Sequence, residues 1–492
     1  MRRTMLAAAL ALAAPGAAWA QPAGAPGPRV EPCMLPGVGA ARCGSLEVWE
    51  NRAARSGRKI AIRFAVLPAT GTATGDPLVP IAGGPGQATI PMAGFVVQDL
   101  GALRDSRDIL LVDARGTGGS SALRCVLYGP APNDFLGDFF PADRVRRCAA
   151  EWRGRADLGQ YTSDNAADDL DDVRAALGYE RLNLYGTSYG TRGALVYMRR
   201  HPARVRSAIL TGVVPTGARI PLRLAADAQR VVDGVIGECE REPACGAAFP
   251  GVRGDLRAVV ERLARGPVVV TAADPVTGDP VTFPLTRDLF AEGLRYMTYS
   301  ASTASYVPAV LHAAGRGDLA PAATQALFGR RVILSDANAT GVYLSITCTE
   351  DVPFFDEAEG VRLARGSYLG ASRVRSQKAA CAEWPVRPVE RAFLEPVRSD
   401  VPVLILTGQW DPATPPAQGH EALRTLPNGR HLVIPSAGHG FNGVSGYREC
   451  VPPLLVRFVR TADAKGLDAA CVAAIHRPPF PLRPPPTRGE GR

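Results

Sequence analysis

Ser188 stands between two glycines in the stretch LNLYGTSYGTRGAL (182–195), in the pattern Gly-x-Ser-x-Gly. A serine hydroxyl is a weak nucleophile until a base takes its proton and a third group orients that base. One arrangement that supplies both runs Ser, then acid, then His along the chain, each on a loop after a strand. Asp411 follows the apolar run VPVLILTGQW and His439 follows HLVIPSAG, so both satisfy that order. Asp400 is the rival acid, but it precedes its run and would lie at the opposite end of a sheet. Of six histidines, His201 ends a helical stretch, His431 begins a strand, His312 and His420 sit in helical patterns, and His476 falls in the C-terminal segment. Only His439 follows a strand in a glycine-flanked loop downstream of an acid. Such a set would carry out acyl transfer through a covalent serine ester, with no metal or organic cofactor.

Positioning that set needs a strand, a sharp turn and a helix around Ser188, with small flanking residues so that strand and helix approach closely. RLNLY precedes the serine, Gly186 and Gly190 flank it, and a helical pattern follows from Tyr189. The turn aims the Tyr189 backbone N–H at the place where an oxyanion would form, at the positive end of the helix. A second donor is expected on the loop after the third strand, PIAGGPGQA, where Gly84, with Gly83 close behind, offers a backbone N–H without a side chain in the way. No Gly-Lys-Ser/Thr ending follows these glycines, which sets aside a phosphate loop.

The wider pattern is α/β. SLEVWEN and KIAIRFAVLP read as an antiparallel pair, and PLVPIAGG, DILLVDARG, RLNLYGTS and SAILTGVVP as buried strands. Their apolar runs are unbroken rather than alternating, which suits a mostly parallel sheet covered by helices on both faces. Helical patterns start at Asn165 and Tyr189. After Pro215 helices follow one another, with a hairpin at VVVTAADPVTGDPVTF, until strands return at VPVLILTGQW and RHLVIPSAGHGF. The expected organisation is therefore a signal over 1–20, a first core part over 21–215, a large, mainly helical inserted cap over 216–392, a second core part over 393–475 carrying acid and histidine, and a disordered proline-rich tail over 476–492.

The chain opens MRRTMLAAALALAAPGAAWAQ, with two arginines, a short apolar run and Ala-Trp-Ala before Gln21, the layout of a cleaved export signal. No later apolar stretch approaches the ~20 residues of a membrane span. Ten cysteines without a Cys-x-x-Cys spacing agree with an oxidising compartment, secreted or periplasmic, and with disulfides rather than a metal or redox site. Pairing of neighbour with neighbour is expected because each such loop is local, although spacing alone leaves connectivity open. The net charge of +9 is scattered, with no basic stripe interleaved with aromatics, so nucleic acid is not an expected partner. Oligomeric state is not legible.

Taken together, GGPG at 83–86, DARGTGGS at 113–120, GTSYG at 186–190, DPATP at 411–415 and GHG at 438–440 resemble the prolyl iminopeptidases and, more closely, the secreted tripeptidyl aminopeptidases of the α/β-hydrolase fold. Carried over by motif, the resemblance implies Ser188 as nucleophile, Asp411 as orienting carboxylate and His439 as base. It departs at Ala82, where iminopeptidases often have a histidine before the two glycines, and this favours the tripeptidyl type over single proline release. Arg115 in DARGTGGS is expected to brace its loop rather than bind substrate. An aminopeptidase must hold a protonated α-amine, which calls for carboxylates. ITCTEDVPF offers Glu350 and Asp351 beside Cys348, with Glu350 the expected contact. The expected activity is thus that of an exported serine aminopeptidase acting on peptides. An exported carboxylesterase or lipase-like enzyme acting on small esters or amides, and a non-catalytic binding protein on the same scaffold, are the alternatives.

Overall fold

A computed structural model of the chain describes residues 28–129, 131, 136–333 and 338–485. The expected signal over 1–20 lies outside the described residues, as do residues 486–492 of the expected tail.

The strands are β1 (Arg29–Leu35), β2 (Gly39–Trp49), β3 (Lys59–Leu67), β4 (Leu78–Ile81), β5 (Ile109–Val112), β6 (Leu182–Thr187), β7 (Val205–Thr211), β8 (Val268–Ala273), β9 (Pro280–Leu285), β10 (Val403–Gly408) and β11 (Gly429–Ile434). Nine of them form one sheet in the order β1-β2-β3-β5-β4-β6-β7-β10-β11, antiparallel from β1 to β5 and parallel from β5 to β11. The helices that position the site are α1 (Ser163–Ala176), α2 (Tyr189–Arg200), α3 (Leu224–Arg241), α4 (Arg287–Met297), α5 (Ala320–Ile333), α6 (Thr340–Glu350), α7 (Ser372–Ala382) and α8 (Tyr447–Thr461).

Successive side chains of a strand point to opposite faces, so a strand covered on both sides must be apolar throughout. In β3, Phe64 and Val66 enter one core while Ala65 and Leu67 enter the other; in β10, Val403 and Ile405 part from Leu404 and Leu406 in the same way. Ala167, Leu170 and Val173 of α1 with Ala194, Leu195 and Met198 of α2 cover the first face. Leu454, Leu455 and Phe458 of α8 cover the second. Helix α1 begins two residues before the expected Asn165, because the Thr162 side chain caps it by accepting from the Asn165 N–H.

Strand β1 escapes the sequence pattern. RVEPCML is mostly exposed and carries a proline, as an edge strand tolerates, and it is held by full register with β2 and the Cys33–Cys43 disulfide. Its presence makes the glycine loop follow the fourth strand in chain order rather than the third. Four further disulfides join Cys125 to Cys148, Cys239 to Cys245, Cys348 to Cys381 and Cys450 to Cys471, each cysteine with its neighbour as expected.

Between β7 and β10, helices α3, α4 and α5 and the β8–β9 hairpin build a core of their own, including Val231, Val235, Phe283, Phe290, Leu294 and Leu327, whereas α6 packs with Leu123 and Tyr189 in another cluster. The expectation of disorder over 476–492 is corrected for residues 476–485. Phe480 is buried in that same core, and the Arg477 guanidinium stacks 3.4 Å over its ring. Arg477 also donates to Glu238 Oε2 at 3.0 Å and Glu242 Oε2 at 2.6 Å. One buried aromatic ring and a doubly paired cation outweigh the ordering entropy of a segment whose prolines already restrict it. Among the described residues no helix is long and apolar enough to cross a membrane.

Candidate active site

Ser188 joins β6 to α2 at φ 53°, ψ −128°, a positive φ that an L residue adopts at a cost of order 1–3 kcal/mol. Its neighbours explain why that geometry persists. A Cβ on Gly190 would lie 2.0 Å from the Ile81 carbonyl oxygen and 2.6 Å from that of Ala82. One on Gly186 would lie 2.7 Å from the Gly190 oxygen. Only glycine lets β6, α2 and the end of β4 approach so closely. The Ser188 N–H donates to Thr211 O at 2.8 Å, and the Thr191 hydroxyl donates to Ser188 O at 2.6 Å, which fixes the turn from both sides.

Asp411 and His439 follow β10 and β11, at the same end of the sheet as Ser188. The His439 Nε2 lies 3.0 Å from Ser188 Oγ, and its Nδ1 lies 2.9 Å from Asp411 Oδ2 and 3.1 Å from Oδ1. With a carboxylate at Nδ1, the imidazole carries its proton there and presents a lone pair to the serine. Asp411 is fully buried, and its oxygens also accept from the Ala413 N–H, the Thr414 N–H and the Thr414 hydroxyl at 2.8, 2.8 and 2.7 Å. Burial alone would raise its pKa; the charge and hydrogen bond of His439, with the Thr414 donors, outweigh burial and hold it below the usual carboxylate range. It stays ionised beside the imidazole.

The GGPG loop runs against this turn. A Cβ on Gly83 would come within 3.0 Å of Ser188 Cβ, so Gly83 packs directly on the serine, while Gly84 and Gly86 take φ of 107° and 103° to shape the loop. The Tyr189 N–H, first in α2, is one of the helix-start donors without an intrahelical acceptor. The Gly86 oxygen accepts from the Ala339 N–H at 2.9 Å, which ties the loop to the segment entering α6.

The other sequence candidates fall elsewhere. Asp400 is exposed before β10. His201 pairs with Asp168, His312 with Asp255, and His431 with Thr407. Arg115 is buried and spans Asp169 with two 2.7 Å bonds, a brace as expected. Glu350 and Asp351, expected near a substrate amine, are fully buried beneath the serine turn with partners from the chain itself. Glu350 accepts from the Ser163 N–H and hydroxyl, both at 2.7 Å, and Asp351 Oδ1 accepts from Arg192 Nη2 at 2.9 Å and the Ile220 N–H at 3.1 Å. Ser163 Oγ in turn lies 2.6 Å from the Tyr189 hydroxyl. Glu350 therefore holds, through Ser163, the residue after the serine, while Asp351 anchors Arg192 and the Ile220 N–H and keeps its buried Oδ2 without a hydrogen-bond partner. Burial pushes Glu350 up to about 7 against the opposing pull of Arg192 and the Ser163 bonds.

Four residues near the relay were given no role by the sequence, although Thr414 lies within DPATP. Thr414 lies 3.1 Å from His439 Nδ1 as well as bonding Asp411. From α3, Arg230 donates to the Asp411 backbone oxygen at 3.0 Å. Arg192 is buried within α2 between Glu350 and Asp351. The Tyr299 ring stands edge-on to the His439 ring at 5.0 Å, and its carbonyl accepts from the Gly440 N–H at 2.8 Å. Only Thr414 was findable, since a threonine three residues after an aspartate commonly bonds it locally.

A family model described as alpha/beta hydrolase fold matches residues 76–245, the span that holds the glycine loop and the serine turn. The chain has the α/β-hydrolase fold. A second model, described as TAP-like protein, matches residues 367–471, which carry Asp411 and His439. Serine protease Hip1 of Mycobacterium tuberculosis is 27% identical over 471 residues, covering 85% of each chain. Tripeptidyl aminopeptidase of Streptomyces coelicolor is 25% identical over 463 residues, covering 89% of this chain and 84% of that one. Putative hydrolase YuaR of Escherichia coli is 22% identical over 425 residues, covering 82% and 81%. This chain is a serine hydrolase, similar to TAP-like proteins over residues 367–471.

Proposed function

We propose that the protein is an exported aminopeptidase that releases short, tripeptidyl-type N-terminal peptides through Ser188, His439 and Asp411. The single observation that carries this reading is the unbroken relay from Asp411 to His439 to Ser188, at 2.9 and 3.0 Å. Similarity to a serine protease and a tripeptidyl aminopeptidase supports a peptide substrate, and the five disulfides support an oxidising, exported setting.

His439 takes the Ser188 proton as Oγ attacks the carbonyl carbon, and the carbonyl electron pair moves to oxygen. The N–H of Tyr189 and that of Gly83 or Gly84 stabilise the resulting oxyanion. Asp411 keeps the imidazole tautomer and offsets its charge. His439 then protonates the leaving amine, and water repeats the sequence on the acyl-enzyme. The core over 21–215 and 393–475 supplies this chemistry, and the insertion over 216–392 forms the cap above it.

Ser188→Ala should abolish turnover and labelling by a fluorophosphonate probe while leaving the thermal melt nearly unchanged. Retention of most activity would remove Ser188 from the reaction. Peptide amides with a free amine should be cleaved far faster than N-blocked ones; indifference to blocking, with rapid cleavage of p-nitrophenyl esters, would make the enzyme an esterase.

A further inference from the structure

A second charged cluster lies inside the insertion, apart from the relay. Glu292 and Arg295 of α4, Arg330 of α5 and Arg373 of α7 meet there, none more than 8% exposed. Arg295 Nε donates to Glu292 Oε2 at 3.1 Å, and its Nη1 donates to the Tyr299 hydroxyl at 2.7 Å. Arg330 Nη2 donates to the Gly137 oxygen at 2.9 Å. Arg373 approaches Glu292 Oε1 only at 3.5 Å and stacks 3.3 Å over the Phe139 ring. Three guanidiniums thus share one carboxylate. The exposed Asp288, on the same helix, lies in the fields of both Arg287 and Arg330.

Buried charges are ordinarily paired, and a buried polar atom without a partner calls for an explanation. Here the Nε and Nη1 of Arg330, the Nε and Nη1 of Arg373 and the neighbouring Tyr368 hydroxyl have no hydrogen-bond partner, four guanidinium donors against one unpartnered carboxylate oxygen, Glu292 Oε1. Burial depresses the Arg330 pKa, the response of a cation whose counter-charge is insufficient. An arriving anion would be stabilised by all three guanidiniums and by the forked geometry that fits a planar carboxylate. An ammonium group would meet like charge.

The rim of the cluster is made by Tyr296, Tyr299 and Tyr343, all partly exposed. Tyr299 is the same ring that stands against His439. Contacts of 5.2 Å from Arg295 to Tyr299 and 5.0 Å from Tyr299 to His439 run in series. They place the Arg295 guanidinium, at the near side of the cluster, within about 10 Å of the base, the reach of roughly three residues of extended peptide.

We infer that this cluster binds a carboxylate of the substrate, the side chain of an aspartate or glutamate within about three residues of the scissile bond. The inference rests on the serine-peptidase reading and adds a preference for acidic residues to it. Its test is a set of tripeptidyl fluorogenic amides in which glutamate is exchanged for glutamine at each acyl position in turn. At one position glutamate should raise kcat/KM at least tenfold over glutamine, and in Arg330→Met and Arg373→Met that ratio should fall to near one, mainly through KM. Equal rates at all positions, or a preference that survives in both variants, would overturn the assignment. A second measurement needs neither turnover nor a change in the cluster: glutarate should raise the thermal melting point of Ser188→Ala protein and the neutral diamide should not, and equal melts would also overturn it. Loss of fluorophosphonate labelling in the parent protein alongside a glutarate shift would instead break the peptidase reading and leave the carboxylate site standing.

Discussion

Gly190→Ala tests whether the serine turn depends on backbone contact rather than on side-chain chemistry. The added Cβ would sit 2.0 Å from the Ile81 oxygen, against a comfortable carbon–oxygen approach of about 3.3 Å. The Ala82 oxygen, 2.6 Å away, closes the nearest escape. Both opposing atoms are backbone, so α2 must withdraw from the end of β4 by more than about 1 Å. That movement separates Ser188 and the Tyr189 N–H from the Gly83–Gly84 loop. A misplacement of about 1 Å at a reacting centre costs on the order of 10²-fold, and overpacking costs about 1–3 kcal/mol. Gly193→Ala, one turn further along α2, is the internal control. Its Cβ would meet only the Ile81 side chain, at 3.2 Å, and the gain in helix propensity of about 1 kcal/mol offsets the squeeze. The assays are the second-order rate of fluorophosphonate labelling, steady-state hydrolysis of a p-nitrophenyl ester, and urea unfolding of both variants. Gly190→Ala protein that remains folded and labels within threefold of the parent rate would refute the argument from close approach.

Three further outcomes follow from the site and its supports. Asp411→Asn should lower kcat by about 10⁴, the loss caused by the wrong imidazole tautomer in serine proteases, with a near-normal rate excluding Asp411 as the orienting group. The folded Glu350 carboxyl, at about 7, lies above its ordinary 4.5. Its contribution to stability is therefore fully present below pH 4.5 and is lost as pH rises through 7, so Glu350→Gln should flatten the decline of the melting point across that window, and parallel melting curves would contradict this. Replacing both Cys348 and Cys381 with alanine opens a loop of 33 residues that ties α6 to α7. The expected loss is about 3–4 kcal/mol, and an unmoved denaturation midpoint would show that the tie is idle.

The sheet strands from β2 onward and the three residues of the relay were legible because each carries a local signature: unbroken apolar runs for a sheet covered on both faces, and small residues where loops turn at the strand ends. Gly408 and Gly438 illustrate the second point, since a Cβ on the first would lie 2.0 Å from the carbonyl oxygen of the other. Strand β1 was not legible because its stability comes from register and a disulfide rather than from apolar alternation. The ordered stretch from 476 to 485 was hidden for a similar reason. Proline-rich composition reads as loose chain, yet one phenylalanine and one arginine find partners on α3 and in the core of the insertion.

Residue type and spacing by themselves determined the chemistry available to this protein: a serine in a tight turn, a downstream acid, a glycine-flanked histidine, and cysteines placed to pair locally. Only the tertiary structure decided which charges serve that chemistry and which support it. Glu350 and Asp351 look like free acids in a line of letters and prove to be buried under the serine turn. Arg295, Arg330 and Arg373, dispersed over three helices, come together around one glutamate. The physical reason is that burial and pairing are properties of neighbours distant in the chain, and an ionisable group's behaviour depends on them more than on its own identity.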